Sequence, residues 1–288
     1  MPDKEKTLND LQRLINSKNF KSKEELDAFL QDMITNNELD MEELELSEAE
    51  KAEDLVFEAY DALFDDKAQE YINEALNLDP MCIPAYEYMA GKYENIWLAM
   101  TFYQKAIEVG QVLFNQEYVH ENRGHFWMIH ETRPFMRCMQ AYAECQMSLD
   151  FRSAAIDIFE EMIQLNPNDN QGVRDPLMTL LLMENQYIKY QKYRKMYEND
   201  LSAFHAWNYA LFLFKTKGDS QQTKEALHLA IEHNRYVPKR LLSARPPKTA
   251  PESYKLKSAA EADYYAFTAY NAWKQTQGVF SWLEKNTK

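Results

Sequence analysis

Two stretches of this sequence decide the fold: AQEYINEALNLDP at residues 68–80 and AIDIFEEMIQLNP at residues 155–167. Each begins with alanine, has a large apolar residue four positions later and a small or apolar residue three positions further on, and ends in proline. Residues with these spacings share one face of an α-helix, and proline ends the helix because its nitrogen has no hydrogen to donate. Both stretches therefore predict the same helix with the same buried face.

Looser copies of the pattern begin at Ala99, Lys189 and Thr223. The steps from residue 155 to 189 and from 189 to 223 are both 34 residues, which is the period of the tetratricopeptide repeat. Small residues let two helices approach closely, and each helix pair leaves an apolar face that the next pair must cover. The sequence predicts an all-α fold, a tetratricopeptide-repeat (α-α) solenoid with helical caps at both ends. The alternative is an ordinary helical bundle with accidental alanine spacing.

We expect three parts along the chain. Residues 1–47 form an acidic N-terminal helical segment that ends in a linker at residues 36–47, and residues 48–240 carry the tetratricopeptide-like repeats. Residues 241–288 form a proline-containing strap followed by C-terminal capping helices, beginning with an amphipathic helix at about residues 259–274. A bare terminal repeat would expose its core face, so caps of this kind are expected.

Two features interrupt the period. The step from Ala99 to Ala155 is 56 residues, which predicts an insertion at about residues 110–133 that extends a helix and adds a loop. Asp175-Pro176 falls inside an expected first helix. This helix either begins late, with Asp175 as its N-cap and Pro176 at its first position, or kinks at the proline.

The charge is distributed unevenly. The formal net charge is −14; residues 1–66 carry 20 acidic and 7 basic residues (7 − 20 = −13), and residues 189–288 carry 9 acidic and 17 basic residues (17 − 9 = +8). A chain with opposite charge at its two ends is a poor binder of nucleic acid. The acidic end is interpreted as a solvated face, with steering of a partner or contact with the basic end as alternatives.

Other sequence features point away from membranes and enzymes. No apolar run approaches the ~18 residues of a membrane span, and the N-terminus is unlike a signal peptide. Three cysteines leave one unpaired in any disulfide scheme, which favours a cytoplasmic protein. No glycine-rich phosphate loop or nucleophile elbow is present. We therefore expect a non-enzymatic protein without a cofactor.

A histidine series is the one candidate metal site. His120, His125 and His130 are spaced by five residues, and Glu131 follows the last of them. On one helix a five-residue step rotates the side chain by about 140° relative to the previous one, so the three histidines cannot share a face. Only a turn at residues 122–124 would bring them together. A metal-dependent hydrolase using this cluster is the alternative function.

The better candidate is the concave surface lined by the first helix of each pair. Guanidinium and amide groups on this surface can donate hydrogen bonds to a carboxylate or to an extended peptide backbone. Aromatic rings on the same surface supply an apolar anchor. The candidate binding residues are Arg137, Gln140, Glu144, Gln171, Arg174, His205, Asn208, Tyr209, Phe212 and Lys215. The alternative is that Arg133 and Arg137 pair with Glu131 and Glu144 to order the insertion. The expected partner is another protein or peptide, and a peptide-responsive regulator is a further alternative.

Several longer motifs carry a family likeness: GHFWMIHETRPFMR at residues 124–137, EEMIQLNPNDNQGVR at residues 160–174, RYVPKRLL at residues 235–242 and GVFSWL at residues 278–283. Together they resemble a family of tetratricopeptide proteins common in bacteria, and the corresponding region of the eukaryotic suppressor of tumorigenicity seven proteins. The likeness extends from about residue 49 to the C-terminus and departs from the pattern at Asp175-Pro176. It implies the repeat fold and a scaffold or adaptor role, with no catalytic activity.

Overall fold

The computed structural model describes residues 2–18, 20–36 and 45–287. Within these ranges the chain forms sixteen α-helices and no β-strand, which confirms the all-α prediction. The helices, in chain order, are α1 Pro2–Ser17, α2 Lys23–Asn36, α3 Glu48–Asp61, α4 Asp65–Leu78, α5 Ile83–Lys92, α6 Ile96–Leu113, α7 Gln116–Asn122, α8 Arg133–Ser148, α9 Arg152–Leu165, α10 Arg174–Met183, α11 Tyr187–Met196, α12 Ala203–Lys217, α13 Gln221–His233, α14 Val237–Leu241, α15 Ala259–Lys274 and α16 Val279–Asn286.

The helices form two compact units, residues 1–145 and residues 146–288, and the division falls within α8. We call them the first and the second unit. The division lies inside the stretch 48–240, which was assigned to the repeats. The organisation into parts 1–47, 48–240 and 241–288 remains a prediction. The expected linker at residues 36–47 lies mostly outside the described residues.

In the first unit, α3 and α4 pack against each other through small residues. The residues that marked the repeat in the sequence, Ala68, Ile72 and Ala75, are all buried in the resulting core. They face Ala52 and Val56 of α3, which are also buried. Because alanine has no side chain beyond Cβ, the two helices approach closely and Ile72 fills the space beside them. The repeat pattern at residues 68–75 thus corresponds to the contact between α3 and α4.

The start of α3 is fixed by a capping box. The Ser47 hydroxyl accepts a hydrogen bond from the Glu50 backbone N–H, and the Glu50 carboxylate accepts one from the Ser47 backbone N–H. This reciprocal pair satisfies two backbone donors that a helix start leaves unpaired. It fixes the position from which the acidic face of α3 begins.

The interrupted stretch at residues 110–133 contains the end of α6, the short helix α7 and a series of turns. Gly110 lies against the ring of Phe135, which belongs to α8 and is buried. The Thr132 hydroxyl, also buried, donates to the carbonyl oxygens of Phe126 and Ile129. These contacts fix the start of α8. They thereby also fix the position of Arg137, which lies one helical turn after the first residue of α8.

In the second unit, α10 packs against α9, α11, α12 and α15, and α12 packs against α13. The repeat markers in α9 and α13 are buried, as the pattern requires. The degenerate repeat differs, because Tyr190 and Tyr193 are its buried residues while Met196 is 45% exposed. The aromatic ring of Tyr190 packs on Phe212. Helix α11 therefore buries Tyr193 as the pattern predicts, but Tyr190 is buried with it instead of Lys189 and Met196.

The helix at Asp175-Pro176 begins late, as one of the two alternatives predicted, but Asp175 is not its N-cap. Helix α10 begins at Arg174, after Val173. The Asp169 carboxylate, five residues upstream of Arg174, accepts the backbone N–H groups of Val173 and Arg174. It thereby performs the capping role assigned to Asp175. Pro176 is tolerated because a first-turn nitrogen has no partner within the helix.

The C-terminal part contains the predicted helix with the predicted bounds, α15 over Ala259–Lys274. Residues 243–258 before it contain no helix. Ser258 caps α15, and the indole of Trp282 in α16 packs against Phe214. Among the helices that the structure describes, none is long and apolar enough to cross a membrane.

Candidate functional site

The first unit contains a pocket of about 350 Å³. Three of its walls are first helices of successive predicted pairs, α3, α5 and α8, and the fourth is α1. The side chains that shape it are Glu53, Phe57 and Tyr60 of α3, Pro84 and Glu87 of α5, Pro134 and Arg137 of α8, and Glu5, Asn9 and Arg13 of α1. Of the ten residues predicted for binding, Arg137 is the one that lines this pocket.

Arg137 lies in this pocket and is held by two carboxylates. Its Nε and Nη2 each donate to Glu87 at 2.6 Å, and its Nη1 donates to Glu5 at 2.6 Å. Burial alone lowers the pKa of a guanidinium, but the bonds to Glu87 and Glu5 outweigh it and leave the pKa of Arg137 raised. These partners differ from Glu131 and Glu144, the two that the sequence had suggested. Arg133 instead donates to the backbone oxygen of Trp127.

Arg13 of α1 is the second cation of the pocket, and it is 7% exposed. Its Nη1 donates to Asp54 at 2.6 Å, and its Nη2 donates to the backbone oxygen of Glu50 at 2.9 Å and to Glu53 at 3.3 Å. Arg13 therefore neutralises an acidic face of α3. The guanidinium has five N–H donors in one plane, whereas a lysine ammonium has three, so an arginine can bond this many acceptors at fixed angles.

Arg13 does not fully offset the burial and mutual repulsion of the carboxylates on this acidic face. Burial, together with the neighbouring charges of Asp54 and Glu50, raises the pKa of Glu53 to about 7, against the lowering effect of Arg13. Burial and then the charge of Asp54 also raise the pKa of Asp10 in α1. More carboxylates meet here than one arginine can compensate. Burial and the neighbouring carboxylates together favour the protonated form of Glu53.

The histidine series does not form a metal site. His120 lies in α7, His125 lies in the turns after it, and the His130 ring contacts the Asn9 side chain. Within the described ranges, no group of three or more histidine, cysteine, aspartate or glutamate side chains could hold a metal ion. The His120, His125, His130 and Glu131 cluster expected for a hydrolase is therefore not assembled by the described residues.

In the second unit, Arg174 is also engaged by carboxylates of its own unit. Its Nε donates to Asp200 at 3.0 Å, and its Nη1 donates to Asp169 at 3.1 Å. Its guanidinium also lies over the ring of Tyr197. Arg137 and Arg174, which the sequence suggested as fork donors for a partner's carboxylate, are each satisfied by internal carboxylates. A partner's carboxylate would have to displace them.

Asp175 is buried beside Arg174, and its Oδ1 has no hydrogen-bond partner in the structure. Burial raises the pKa of Asp175 well above 3.8, and the charges of Asp200 and Asp169 add to it. The folded protein therefore keeps this carboxyl protonated at pH values where the unfolded chain releases the proton. The resulting cost is absent below the unfolded pKa and grows as the pH rises above it.

Asp175→Asn is expected to raise the free energy of unfolding of the second unit at about pH 8 and to leave it unchanged at about pH 3. Asparagine stays neutral at both pH values, so it removes the cost without changing the shape. Urea denaturation at the two pH values measures the effect. Asp157→Asn on the exposed side of α9 is the matched control. A stability gain of equal size at both pH values would contradict this account.

The candidates on α12 divide between the core and the surface. Asn208 is fully buried; it donates to the Thr179 hydroxyl at 3.2 Å and accepts from the Tyr265 hydroxyl at 3.1 Å. Phe212 is 7% exposed and packs on the rings of Tyr187 and Tyr190. Asn208 and Phe212 therefore serve the core of the second unit rather than an open surface.

Three further candidates in the second unit are Tyr209 and Lys215, which are half-buried, and His205, which is buried. The Arg194 guanidinium lies 3.7 Å from the ring centre of Tyr209. His205 contacts the Arg194 backbone oxygen through Nε2, and burial lowers its pKa. Lys215 is half-buried, and burial lowers its pKa as well. The Arg194 and Tyr209 contact is a cation-π pair of the kind that stabilises a helix surface.

The remaining candidates are Gln140, Glu144 and Gln171. Gln140 and Glu144 are four residues apart on α8 and share a hydrogen bond of 2.9 Å, the ordinary spacing of neighbours on a helix surface. Gln171 lies in the turns before α10 and is partly buried. Three of the ten candidates thus lie in the first unit and seven in the second.

Sequence reasoning missed three groups that shape the pocket: Arg13, Glu87 and Tyr60. One signal pointed to the first of them, since Arg13 is the only arginine among the first 66 residues, which carry a net charge of −13. Lys6 lies seven residues before it, on the same helix face. A basic pair at this spacing inside an acidic segment indicates a helix that packs against carboxylates.

Comparisons with known proteins find similarity to one group. Suppressor of tumorigenicity 7 protein-like from Rattus norvegicus is 24% identical over 234 residues, which cover 73% of this chain and 42% of the relative. The human protein of the same name is also 24% identical over 234 residues, covering 73% of this chain and 41% of the relative. Protein ST7 homolog of Drosophila pseudoobscura pseudoobscura is 23% identical over 235 residues, covering 73% and 43%.

The chain spans less than half the length of the curated relatives it matches. No family model matches the chain, and no solved structure was found to match it. The predicted likeness to these proteins is nevertheless confirmed at the level of distant similarity. Over 73% of its length, this chain shows weak homology to proteins of the suppressor of tumorigenicity 7 family.

Proposed function

We propose that this chain is a non-enzymatic protein-interaction scaffold, with helix pairs that are tetratricopeptide-type repeats of a capped solenoid. The pocket of the first unit binds a segment of another protein. One observation carries the proposal: side chains from α3, α5 and α8, three successive first helices, meet in one pocket of about 350 Å³. Repeat proteins commonly bind their partners on such a surface.

The pocket combines an apolar anchor with charged groups that fix direction. Tyr60 is 48% exposed. Its ring packs edge to face with the ring of Tyr88, and the two ring centres are 4.8 Å apart. Pro84 and Pro134 add rigid apolar surface, and Glu87 and Arg137 supply a pair of opposite charges. Aromatic side chains beside charged groups are the features that dominate binding energy in protein interfaces.

The scaffold role predicts that one exposed ring in the pocket decides whether a partner is captured. The bait is the full chain, used in affinity purification from a lysate of the organism that makes it, with mass spectrometry as the readout. The test variant is Tyr60→Ala. We expect a protein that the unmodified chain recovers to be lost, or reduced by about tenfold, with the variant, since an aromatic anchor contributes about 2 kcal/mol or more.

Tyr93→Ala is the matched control. Tyr93 belongs to the same unit, is 42% exposed, and also makes one ring contact, with Phe102, but it does not line the pocket. Recovery should be unchanged with this control. Equal recovery by Tyr60→Ala and the unmodified chain, or no partner recovered above the empty matrix, would overturn the proposal.

A further inference from the structure

Helix α1 packs along α3 through two cations on one face. Lys6 contacts Glu58 at 3.1 Å, and Arg13 contacts Asp54 at 2.6 Å. The two cations are seven residues apart, which is about two helical turns or 10 Å along the axis. The later cation of α1 meets the earlier carboxylate of α3, so the two helices run in opposite directions.

The surface that receives α1 is a continuous row of carboxylates on α3. Glu50, Glu53, Asp54 and Glu58 lie at spacings of three, four and eight residues from the first, which places them on one side of the helix. Their side chains border the same pocket as Glu87 of α5 or lie along the helix beside it. A helix that presents cations two turns apart is complementary to this row.

Helix α1 is held by ion pairs and by a short apolar stripe. Among its described side chains Leu14 is buried, Leu11 and Ile15 are half-buried, and Leu8 is 46% exposed. The Lys6–Glu58 pair is exposed, so it contributes little and is weakened by salt, whereas Arg13 is 7% exposed and its pairs are screened less. A helix that reproduces these few ion pairs and apolar contacts can compete with α1 for the same face.

Helix α1 is also an imperfect match for this face. Asp10 lies one turn before Arg13 and pairs with it at 3.5 Å, but burial and then the nearby charge of Asp54 raise the pKa of its carboxyl. A helix with the same cations and no carboxylate at that position avoids this repulsion. The electrostatics of the face therefore leave room for a tighter occupant than α1.

We propose that α1 is an internal occupant of a docking site for a basic amphipathic helix of a partner protein. The partner helix carries cations seven residues apart and an apolar residue next to the second, as Lys6, Arg13 and Leu14 do in α1. It displaces α1, pairs with Asp54 and Glu58, and reaches the pocket beside them. This inference rests on the proposed scaffold function and names the class of partner.

Binding of a defined peptide to the full chain tests the inference. The probe is a fluorescent peptide with the sequence of residues 2–18 in which Asp3, Glu5 and Asp10 are replaced by their amides. It is titrated into the unmodified chain and into Arg13→Ala at about 50 mM and about 300 mM salt. We expect the variant to bind the probe at least about tenfold more tightly at low salt, because the internal competitor is weakened.

Three further variants serve as controls. Asp54→Asn added to Arg13→Ala should remove most of the gain in affinity for the probe. Glu70→Gln, at an exposed position of α4, should leave the affinity unchanged. Lys6→Glu weakens α1 at an exposed contact and should give a smaller gain in the same direction. A scrambled probe without the seven-residue spacing should bind more weakly at either salt concentration.

Two results would overturn the inference: equal affinity of the unmodified chain, Arg13→Ala and Lys6→Glu for the probe, or equal affinity of the scrambled probe. Failure here is distinct from failure of the scaffold role. If the lysate partner is lost with Tyr60→Ala while the basic peptide does not bind, the scaffold role stands and the basic partner is wrong. If neither binds through the pocket, both are wrong.

Discussion

Gly110→Ala is expected to lower the free energy of unfolding of the first unit by about 3 kcal/mol. A Cβ atom on Gly110 would lie 2.1 Å from Cδ2 of the Phe135 ring, far inside van der Waals contact. That ring is 4% exposed and also packs near Phe114 at 5.6 Å between ring centres. The ring therefore has nowhere to move, and α6 and α8 must separate. Urea denaturation measures the loss as a lower midpoint.

Gly91→Ala is the control and should act in the opposite direction. Nothing lies within 4 Å of a Cβ at Gly91, and alanine in a helix is favoured over glycine by roughly 0.5–1 kcal/mol. We expect a small gain in stability, or no change near the helix end. A Gly110→Ala variant as stable as Gly91→Ala would contradict the close contact between α6 and Phe135.

Glu261→Ala should be the most damaging single change in the second unit, with an expected loss of about 3 kcal/mol or more. Glu261 is 1% exposed. Its carboxylate accepts hydrogen bonds from the backbone N–H of Ala203 and of Lys257 and from the side-chain amide of Asn234, at 2.6 to 2.9 Å. Alanine leaves these donors without an acceptor, and each unpaired buried donor costs about 1–3 kcal/mol.

Hydrogen exchange gives the local readout for Glu261→Ala. The amides of α12 and of the segment around Lys257 should exchange faster, because the carboxylate joins both to α15. Glu252→Ala, in the exposed part of the preceding segment, should leave exchange and stability unchanged. Glu261→Gln should lie between the two, since its amide nitrogen cannot accept a bond. Unchanged exchange with Glu261→Ala would show that this network does not hold the segment.

The comparison of sequence with structure shows which parts of the fold were predictable. The spacing of Ala68, Ile72 and Ala75 predicted helix α4, because residues buried on one face of a helix recur at fixed local spacing. The same logic predicted α15 with its bounds. The burial of Tyr190 in place of Lys189 and Met196 was missed, because Tyr190 packs on a ring of another helix and local spacing does not indicate such a contact. Long-range packing overrides local periodicity in such cases.

The candidate site was predictable in part for the same reason. Arg137 was predicted because it lies on the exposed side of a first helix, and it does line the pocket of the first unit. Its partner Glu87 lies 50 residues away, and the Asp54 partner of Arg13 lies 41 residues away. Charge pairing at such separations leaves no periodic trace in one sequence. The sequence therefore identified Arg137 as a candidate without indicating the carboxylates that hold it or the position of α1 beside α3.

The central claim is that another polypeptide binds in the pocket bordered by Tyr60. Site-specific crosslinking tests it most directly, with a photoreactive amino acid placed at Tyr60 in one sample and at Tyr93 in another. The account predicts that position 60 crosslinks to α1 in the isolated chain and to a partner protein in a lysate, more so when Arg13→Ala is added. If position 60 captures no partner protein from the lysate that position 93 does not capture as well, with or without Arg13→Ala, the claim is contradicted.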